Sequence, residues 1–179
     1  FGGGVTVEAV GVDGADYGVF AVGANDVSVT TTGAVVGTNA DGIYAFSALG
    51  GVEVDATSVS GGLYGVYADG ETAVSVTATG LVQGLAGDGV YAYSNTAGVI
   101  VDVAAVTGAN YGVFADGQTD VEVTASGTVT GSGFDGIYAS SFAGGVTVEA
   151  VAVNGADYGV FAVGDLDVDV TTTGAVVGA

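Results

Sequence analysis

Two short hydrophobic patterns alternate along the whole chain. The first is Gly-[Val/Ile]-[Phe/Tyr]-Ala, which recurs seven times at intervals of 24 and 23 residues in turn. The second is a run with Val at every other position, as in residues 26–30 and 120–124. Period-two alternation predicts β-strands with one buried face, and a fixed period of about 20 to 50 residues predicts a solenoid or a similar array. The seven copies begin at Gly18, Gly42, Gly65, Gly89, Gly112, Gly136 and Gly159.

The full repeat is a pair of unlike coils, 47 residues long. Tyr and Asp precede the recurring phrase in turn, so coils of two kinds alternate. We therefore predict an all-β fold, a parallel β-solenoid with 23- and 24-residue coils, for which a right-handed β-helix fits best. Residues 1–179 are expected to form one domain of about seven and a half coils. Both ends fall inside a coil, so this domain either polymerises or belongs to a longer chain or fibre.

Strand alternation assigns the inward faces. Valines such as Val27 and Val29 point inward in one strand, and the Val or Ile of the recurring phrase points inward in the other. This turns the aromatic position outward, although the reverse assignment, with the rings in the core, stays open. Glycines between the strands, such as Gly33, Gly37 and Gly84, are expected to supply positive φ angles at the corners. The aromatic positions are Phe20, Tyr44, Tyr67, Tyr91, Phe114, Tyr138 and Phe161.

Composition narrows the choice of partners. The chain has twenty Asp and Glu residues and no Lys, Arg, His, Cys, Met, Trp or Pro, so its formal net charge is −20. Nucleic acid is therefore a poor partner, whereas divalent cations or cationic surfaces are better ones. No run of about eighteen apolar residues is present, so we expect no membrane insertion. An extracellular location is favoured, because a chain without Lys, Arg, Met or Cys offers trypsin-like proteases and oxidants few targets.

Stacking the coils aligns acids with threonines in one outward column. Directly stacked carboxylates would lie about 4.8 Å apart, whereas alternation doubles the gap to about 9.6 Å and places a hydroxyl between neighbours. A solvated face that keeps a rod soluble fits this column, and so does a line of cation sites that bridge rods. The acids are Glu8, Asp55, Asp102 and Glu149, and the threonines are Thr30, Thr77, Thr124 and Thr171.

Two other sets of residues are candidates for surface chemistry. A second column alternates Tyr with Asp, beginning with Tyr17 and Asp41, and the same charge spacing is expected there. Near residue 170, we expect Asp165, Asp167 and Asp169 to share one strand face and to offer oxygen ligands of the kind that calcium prefers. Carboxylates at i and i+2 lie about 7 Å apart, so one ion would also need loop oxygens or a second chain. Calcium is thus a candidate ligand, and no cofactor is required.

Three phrases of the sequence resemble the repeats of bacterial autotransporter passengers and haemagglutinin-like adhesins. They are Asp41-Gly42-Ile43-Tyr44-Ala45, Gly145-Val146-Thr147-Val148 and Gly127-Thr128-Val129-Thr130-Gly131. The resemblance is one of composition and extends over nearly the whole chain. It implies a secreted or surface-exposed β-helical stalk. The chain departs from these repeats in lacking every basic residue and any visible translocator barrel.

The chemistry of the side chains excludes several classes of enzyme. Nucleophilic catalysis through His, Cys or Lys is excluded, and so is phosphate binding through a Lys motif. Acids about 9.6 Å apart would suit an inverting polysaccharide hydrolase. A catalytic site should interrupt the repeat, however, and the pattern shows no interruption, so we expect no enzyme.

A structural role accounts for most of the features. Ice binding would need regular rows of Thr, which occur here only in alternate coils. We predict a non-enzymatic extracellular protein that self-assembles into a filament or surface fibre, as a homo-oligomer with end-to-end or lateral contacts. The alternative is a stalk segment of a secreted adhesin.

Overall fold

The regular structure of the chain consists of β-strands. The computed structural model describes residues 3–179, and no helix occurs among them. The strands are β1 (Val5–Ala9), β2 (Val12–Gly14), β3 (Val19–Gly23), β4 (Val27–Thr31), β5 (Ala34–Gly37), β6 (Ile43–Ser47), β7 (Val52–Ala56), β8 (Ser58–Gly61), β9 (Val66–Gly70), β10 (Val74–Gly84), β11 (Val90–Ser94), β12 (Val99–Gly108), β13 (Val113–Gly117), β14 (Val121–Gly131), β15 (Ile137–Ser141), β16 (Val146–Gly155), β17 (Val160–Val163), β18 (Val168–Thr172) and β19 (Val176–Val177).

Each strand pairs in parallel with its counterpart one coil away. One sheet of seven strands runs in the order β3-β6-β9-β11-β13-β15-β17, and a sheet of twelve strands has β1-β4-β7-β10-β12-β14-β16-β18 as its main path. Parallel pairing of every element with the same element of the next coil defines a β-solenoid, here of about eight turns. The all-β parallel solenoid predicted from the sequence is therefore confirmed.

Each coil has three sides, and the third side was not recognised in the sequence. Strands β2, β5, β8 and β19 form it in four coils, and the second halves of β10, β12, β14 and β16 form it in the others. A register shift separates the halves of the long strands, for example between Ala78 and Leu81, so the chain bends there. Each third side carries one inward Val, such as Val82 or Val129, and both of these are fully buried.

The core consists of columns of small aliphatic side chains. The inward Val pairs of the internal coils are exposed by at most 2%, as in Val52 and Val54. The Val or Ile and the Ala of the recurring phrase are equally buried in the five coils from Ile43 to Ala139. The inward assignment is therefore confirmed for both strands. In the last coil the corresponding Val168 and Val170 remain 45% and 44% exposed.

The glycines at the coil corners are required by space and not by positive φ angles. Among the described residues no glycine has a positive φ, so the expectation for Gly33, Gly37 and Gly84 was wrong. A Cβ atom at Gly84 would instead overlap the carbonyl oxygen of Asp88, and the same overlap recurs with Asp41 at Gly37. The turn that follows each of these glycines folds back so closely that it excludes any side chain at this position.

The glycine that opens the recurring phrase has a second spatial role. A Cβ at Gly65 would overlap the Val82 side chain, which is the inward Val of the third side. The same relation holds between Gly112 and Val129. The seven-fold recurrence of this glycine therefore follows from the packing of one corner of the coil.

Replacement of a corner glycine is expected to be severely destabilising. In Gly108→Ala the new Cβ would overlap the Tyr111 carbonyl oxygen, so the backbone of two coils must shift. We expect a loss of at least about 2 kcal/mol in the free energy of unfolding, measured by urea denaturation. The matched control is Gly11→Ala, whose nearest atom would be the Ala34 oxygen at 3.4 Å. Equal stability of the two variants would show that the corner has room to relax.

Candidate functional site

The acid and threonine column has the register expected from the sequence. Backbone pairing places Glu8 beside Thr30, and the alternation continues without a break through Asp55 and Asp102 to Glu149 and Thr171. The four acids are exposed. Two strand spacings separate successive carboxylates, which corresponds to about 9.6 Å between their backbones. This column is a solvated line of negative charge in which each acid has hydroxyl-bearing neighbours.

The aromatic side chains point outward and form a continuous ladder, so the alternative with the rings in the core was wrong. From Phe20 to Phe161, the centroids of successive rings lie 4.8 to 5.3 Å apart and their planes differ by at most 11°. Most of the rings are half-buried by their neighbours, and Phe20 is 57% exposed. We call these seven side chains the aromatic ladder. It consists of Phe20, Tyr44, Tyr67, Tyr91, Phe114, Tyr138 and Phe161.

Tyrosines of the second column widen the aromatic ladder. The Tyr64 ring packs edge-on against Tyr67, with 5.6 Å between centroids, and Tyr111 makes a tilted contact with Phe114 at 5.5 Å. Burial and the nearby Asp69 carboxylate raise the pKa of Tyr91 to about 12. The same two causes also raise the pKa of Tyr67. The Tyr67 and Tyr91 phenols therefore stay neutral at physiological pH, and the Tyr67 hydroxyl donates a hydrogen bond to Asp69.

The aspartates of the second column are buried. Asp41, Asp88 and Asp135 are only 5%, 5% and 6% exposed. In each case Oδ1 accepts a hydrogen bond from the backbone N–H of the tyrosine in the next coil, at 3.0 to 3.1 Å. These carboxylates therefore hold the turn of one coil to the turn of the next.

Burial changes the acidity of these aspartates. Desolvation raises the pKa of Asp88 to about 6, and the hydrogen bond from the Tyr111 N–H opposes part of this rise. The pKa values of Asp41 and Asp135 are also raised, again chiefly by burial. A folded-state pKa above the ordinary 3.8 means that folding favours the protonated form. The contribution of Asp88 to stability is therefore complete below its ordinary pKa of 3.8 and is lost as the pH rises through about 6.

Three buried serines join the coils at a different corner. Ser47, Ser94 and Ser141 are 47 residues apart and at most 3% exposed. Ser94 Oγ donates to the Thr72 carbonyl oxygen of the preceding coil at 2.7 Å and accepts from the Ala97 N–H at 3.1 Å. The other two serines repeat both bonds. Their 47-residue spacing was the only indication of this role in the sequence.

Exposed aspartates cap the next coil at the same edge, with one exception. Asp26 Oδ1 accepts from the Gly51 N–H at 2.9 Å, and Asp120 accepts from the Gly145 N–H at the same distance. Ala73 occupies this position in the coil pair between them, so the cap of Gly98 is missing there. The expectation that the pattern has no interruption was therefore wrong, because Ala73 interrupts the series formed by Asp26 and Asp120.

The three aspartates proposed for calcium do not share one strand face. Strand β18 begins at Val168, so only Asp169 lies in it, and Asp165 and Asp167 lie in the preceding turn. Asp167 occupies the repeat position of the capping residues Asp26 and Asp120. Within residues 3–179, no group of three or more acidic side chains has a geometry that could hold a metal ion. Calcium binding stays a prediction.

A second local exception opens a cleft beside the aromatic ladder. The outward column next to the ladder carries Phe46 and Tyr93 in two successive coil pairs, but Ser140 in the third. A cleft of about 480 Å³ lies at this point, between Tyr93 and Val163, and Asp116 lines it. The small side chain of Ser140 explains the space, because the larger rings fill the equivalent position elsewhere.

Comparison with known proteins gives no relative. No protein-family model matches the chain, and neither a curated protein nor a solved structure shows significant similarity to it. Between residues 3 and 179 the chain contains no helix of the length and hydrophobicity needed to span a membrane.

Neutralising a buried aspartate is expected to stabilise the fold at neutral pH. Asp88→Asn keeps an oxygen that can accept from the Tyr111 N–H but removes the cost of burying a charge. We expect a gain of about 1 to 2 kcal/mol at pH 7, together with a smaller fall in stability between pH 4 and pH 7. Urea denaturation across this pH range measures both effects.

The control for Asp88→Asn is Asp102→Asn, which removes one charge from the exposed column. It should change stability at pH 7 by less than about 0.5 kcal/mol, because Asp102 is exposed. If Asp88→Asn is less stable than the unmodified chain at pH 7, the burial of a charged carboxylate is not the dominant effect.

Restoring the missing cap is expected to stabilise the central coils. Ala73→Asp places a carboxylate where Asp26 and Asp120 accept from the glycine N–H of the next coil. We expect about 0.5 to 1.5 kcal/mol of added stability in thermal or urea denaturation. Ala73→Glu is the matched control, since it adds the same charge on a longer side chain. A gain of equal size in both variants would refute the capping explanation.

Proposed function

We propose that the chain is a non-enzymatic extracellular structural protein, a self-assembling β-solenoid subunit of a filament or surface fibre. The observation that carries this proposal is the unbroken register of the coils. Each coil offers the coil above it the same valine columns, aromatic ladder and strand edges from β1 to β18. A surface that already accepts one coil of this cross-section suits another coil of the same kind.

The valines of the last coil are open to contact with a further coil. Val168 and Val170 are 45% and 44% exposed, whereas Val121 and Val123, two coils earlier, are at most 1% exposed. A further coil would bury these two side chains and pair the open edge of β18. A second copy of the chain would supply such a coil in a filament, and additional residues would supply it in a longer chain.

The acid column suits lateral contacts between rods. Glu8, Asp55, Asp102 and Glu149 lie on one face and have no cation within the chain to neutralise them. Divalent cations or a cationic surface would reduce the repulsion between two such faces. Lateral bundling should therefore increase in millimolar calcium or in acid. The extracellular location rests on the composition.

A stalk segment of an adhesin is the second candidate. The aromatic ladder favours it, because seven stacked rings with flanking tyrosines form one continuous apolar strip on the outer surface. Such a strip would suit a protein or glycan contact. In this case, the purified chain should form short rods of constant length.

Electron microscopy of the purified chain, in calcium and in chelator, tests the filament role. We expect fibres with a strand repeat of about 4.8 Å along the axis. Val170→Asp should shorten or abolish them, because it places a charge on the open core at the end of the solenoid. Thr173→Asp is the control, since it adds the same charge on the outer surface.

Four outcomes of this experiment differ in meaning. Fibres in both conditions support axial assembly, and fibres only in calcium support bridging by the acid column. Discrete rods in both conditions contradict the filament role and favour the stalk. Fibres that Val170→Asp leaves unchanged would contradict assembly through the last coil.

A further inference from the structure

At the cleft beside Asp116, two side chains that surround the equivalent Asp69 are replaced. Asp69 occupies the same column one repeat earlier and accepts a hydrogen bond from the Tyr67 hydroxyl at 3.2 Å. The residue equivalent to Tyr67 in the coil of Asp116 is Phe114, which has no hydroxyl. The phenol that satisfies Asp69 is therefore missing at Asp116.

The neighbouring coil changes at the same point. Asp69 lies between the rings of Phe46 and Tyr93, whereas Asp116 lies between Tyr93 and Ser140. Replacement of a ring by the small Ser140 opens the cleft of about 480 Å³ along one side of Asp116. Phe114 removes the phenol that serves Asp69, and Ser140 gives a ligand access to Asp116 while its hydroxyl also faces the carboxylate.

The walls of the cleft combine negative charge with aromatic surface. Asp116 and Asp165 supply two carboxylates, and Tyr93 and Phe142 supply rings, of which Phe142 is 76% exposed. Burial raises the pKa of Asp116, while the Ser140 hydroxyl and the Gly117 N–H oppose this rise. A half-buried carboxylate of this kind gains from a cation that replaces its lost hydration.

We propose that this cleft binds an organic ammonium group. The carboxylate of Asp116 would accept hydrogen bonds from the ammonium N–H groups, and the Tyr93 ring would contact the cation or its alkyl chain. The chain itself contains no Lys, Arg or His, so the cation must come from another molecule. A metal ion fits less well, because no three acidic side chains converge in the described part of the chain.

Two sources can present the same chemistry, and the choice of probe separates them. A free diamine such as 1,5-diaminopentane represents a small polyamine, and a blocked Gly-Lys-Gly peptide represents a lysine side chain of a partner protein. Tighter binding of the diamine indicates the free amine, and tighter binding of the peptide indicates the partner protein. The site does not depend on the filament role, because it lies on the side of a single rod.

Calorimetric titration of both probes at about 150 mM salt, which screens long-range attraction, tests the proposal. We expect Asp116→Asn to weaken binding at least tenfold. The matched control is Asp69→Asn, which removes the same charge from the same column but outside the cleft, and should leave affinity unchanged. Ser140→Tyr restores an aromatic residue at the column position of Tyr93 and Phe46, and should abolish binding by filling the cleft.

Four results would overturn the proposal. Equal weakening by Asp116→Asn and Asp69→Asn would mean that the amine is only a diffuse counterion. Full affinity in Ser140→Tyr would place the ligand elsewhere. Displacement of the amine by an equal concentration of calcium, with the same dependence on Asp116, would make the cleft a metal site. Failure of both probes to bind the unmodified chain would also refute it.

Discussion

The stacking of each side chain on its counterpart, one strand spacing away, is the constraint on which this solenoid depends. In a parallel ladder a residue cannot avoid the residue of the next coil, which lies about 4.8 Å from it. Valines and rings gain from that proximity, but carboxylates repel each other. The chain has twenty acids and no basic residue. Alternation of two unlike coils reduces the repulsion between stacked carboxylates, because each acid then has a neutral neighbour in both adjacent coils.

The same alternation determines where the coils are joined. Asp88 and Ser94 occur in only one kind of coil, yet each reaches the backbone of an adjacent coil. Coils of the other kind carry Tyr at the position of Asp88 and Gly at the position of Ser94, and so leave room for these bonds. Polar contacts thus connect successive coils at two corners, while valines fill the interior. The cost is a set of buried carboxylates whose charge opposes folding at neutral pH.

The sequence predicted those features that alternation and period alone determine. Val27, Val29 and their counterparts could be assigned to the core, and the acids of the Glu8 column could be placed in register, because both follow from a period of two within a period of 47. The outward direction of the Phe20 column followed from the same alternation, although the inward alternative could not be excluded without contacts.

Features that depend on how the coil closes could not be predicted. The sequence suggested that the corner glycines need a positive φ. Gly84 is instead required because the carbonyl oxygen of Asp88, four residues later, leaves no space for a side chain. The burial of Asp88 could not be predicted, because it depends on how the corner of one coil packs against the turn of the next. The cleft at Ser140 does have a signal in the sequence, because Ser140 stands where Phe46 and Tyr93 occur 94 and 47 residues earlier.

The strands of successive coils keep one register from the first coil to the last. Distances between spin labels test this continuity most directly. The chain has no Cys, so labels can be attached at two chosen sites. In the column that contains Glu8, four strand spacings separate Glu8 from Asp102, and six separate it from Glu149. Double electron–electron resonance on the Glu8→Cys/Asp102→Cys and Glu8→Cys/Glu149→Cys pairs should give distances of about 19 Å and about 29 Å. Equal distances for the two pairs, or broad distributions without a maximum, would contradict a continuous stack.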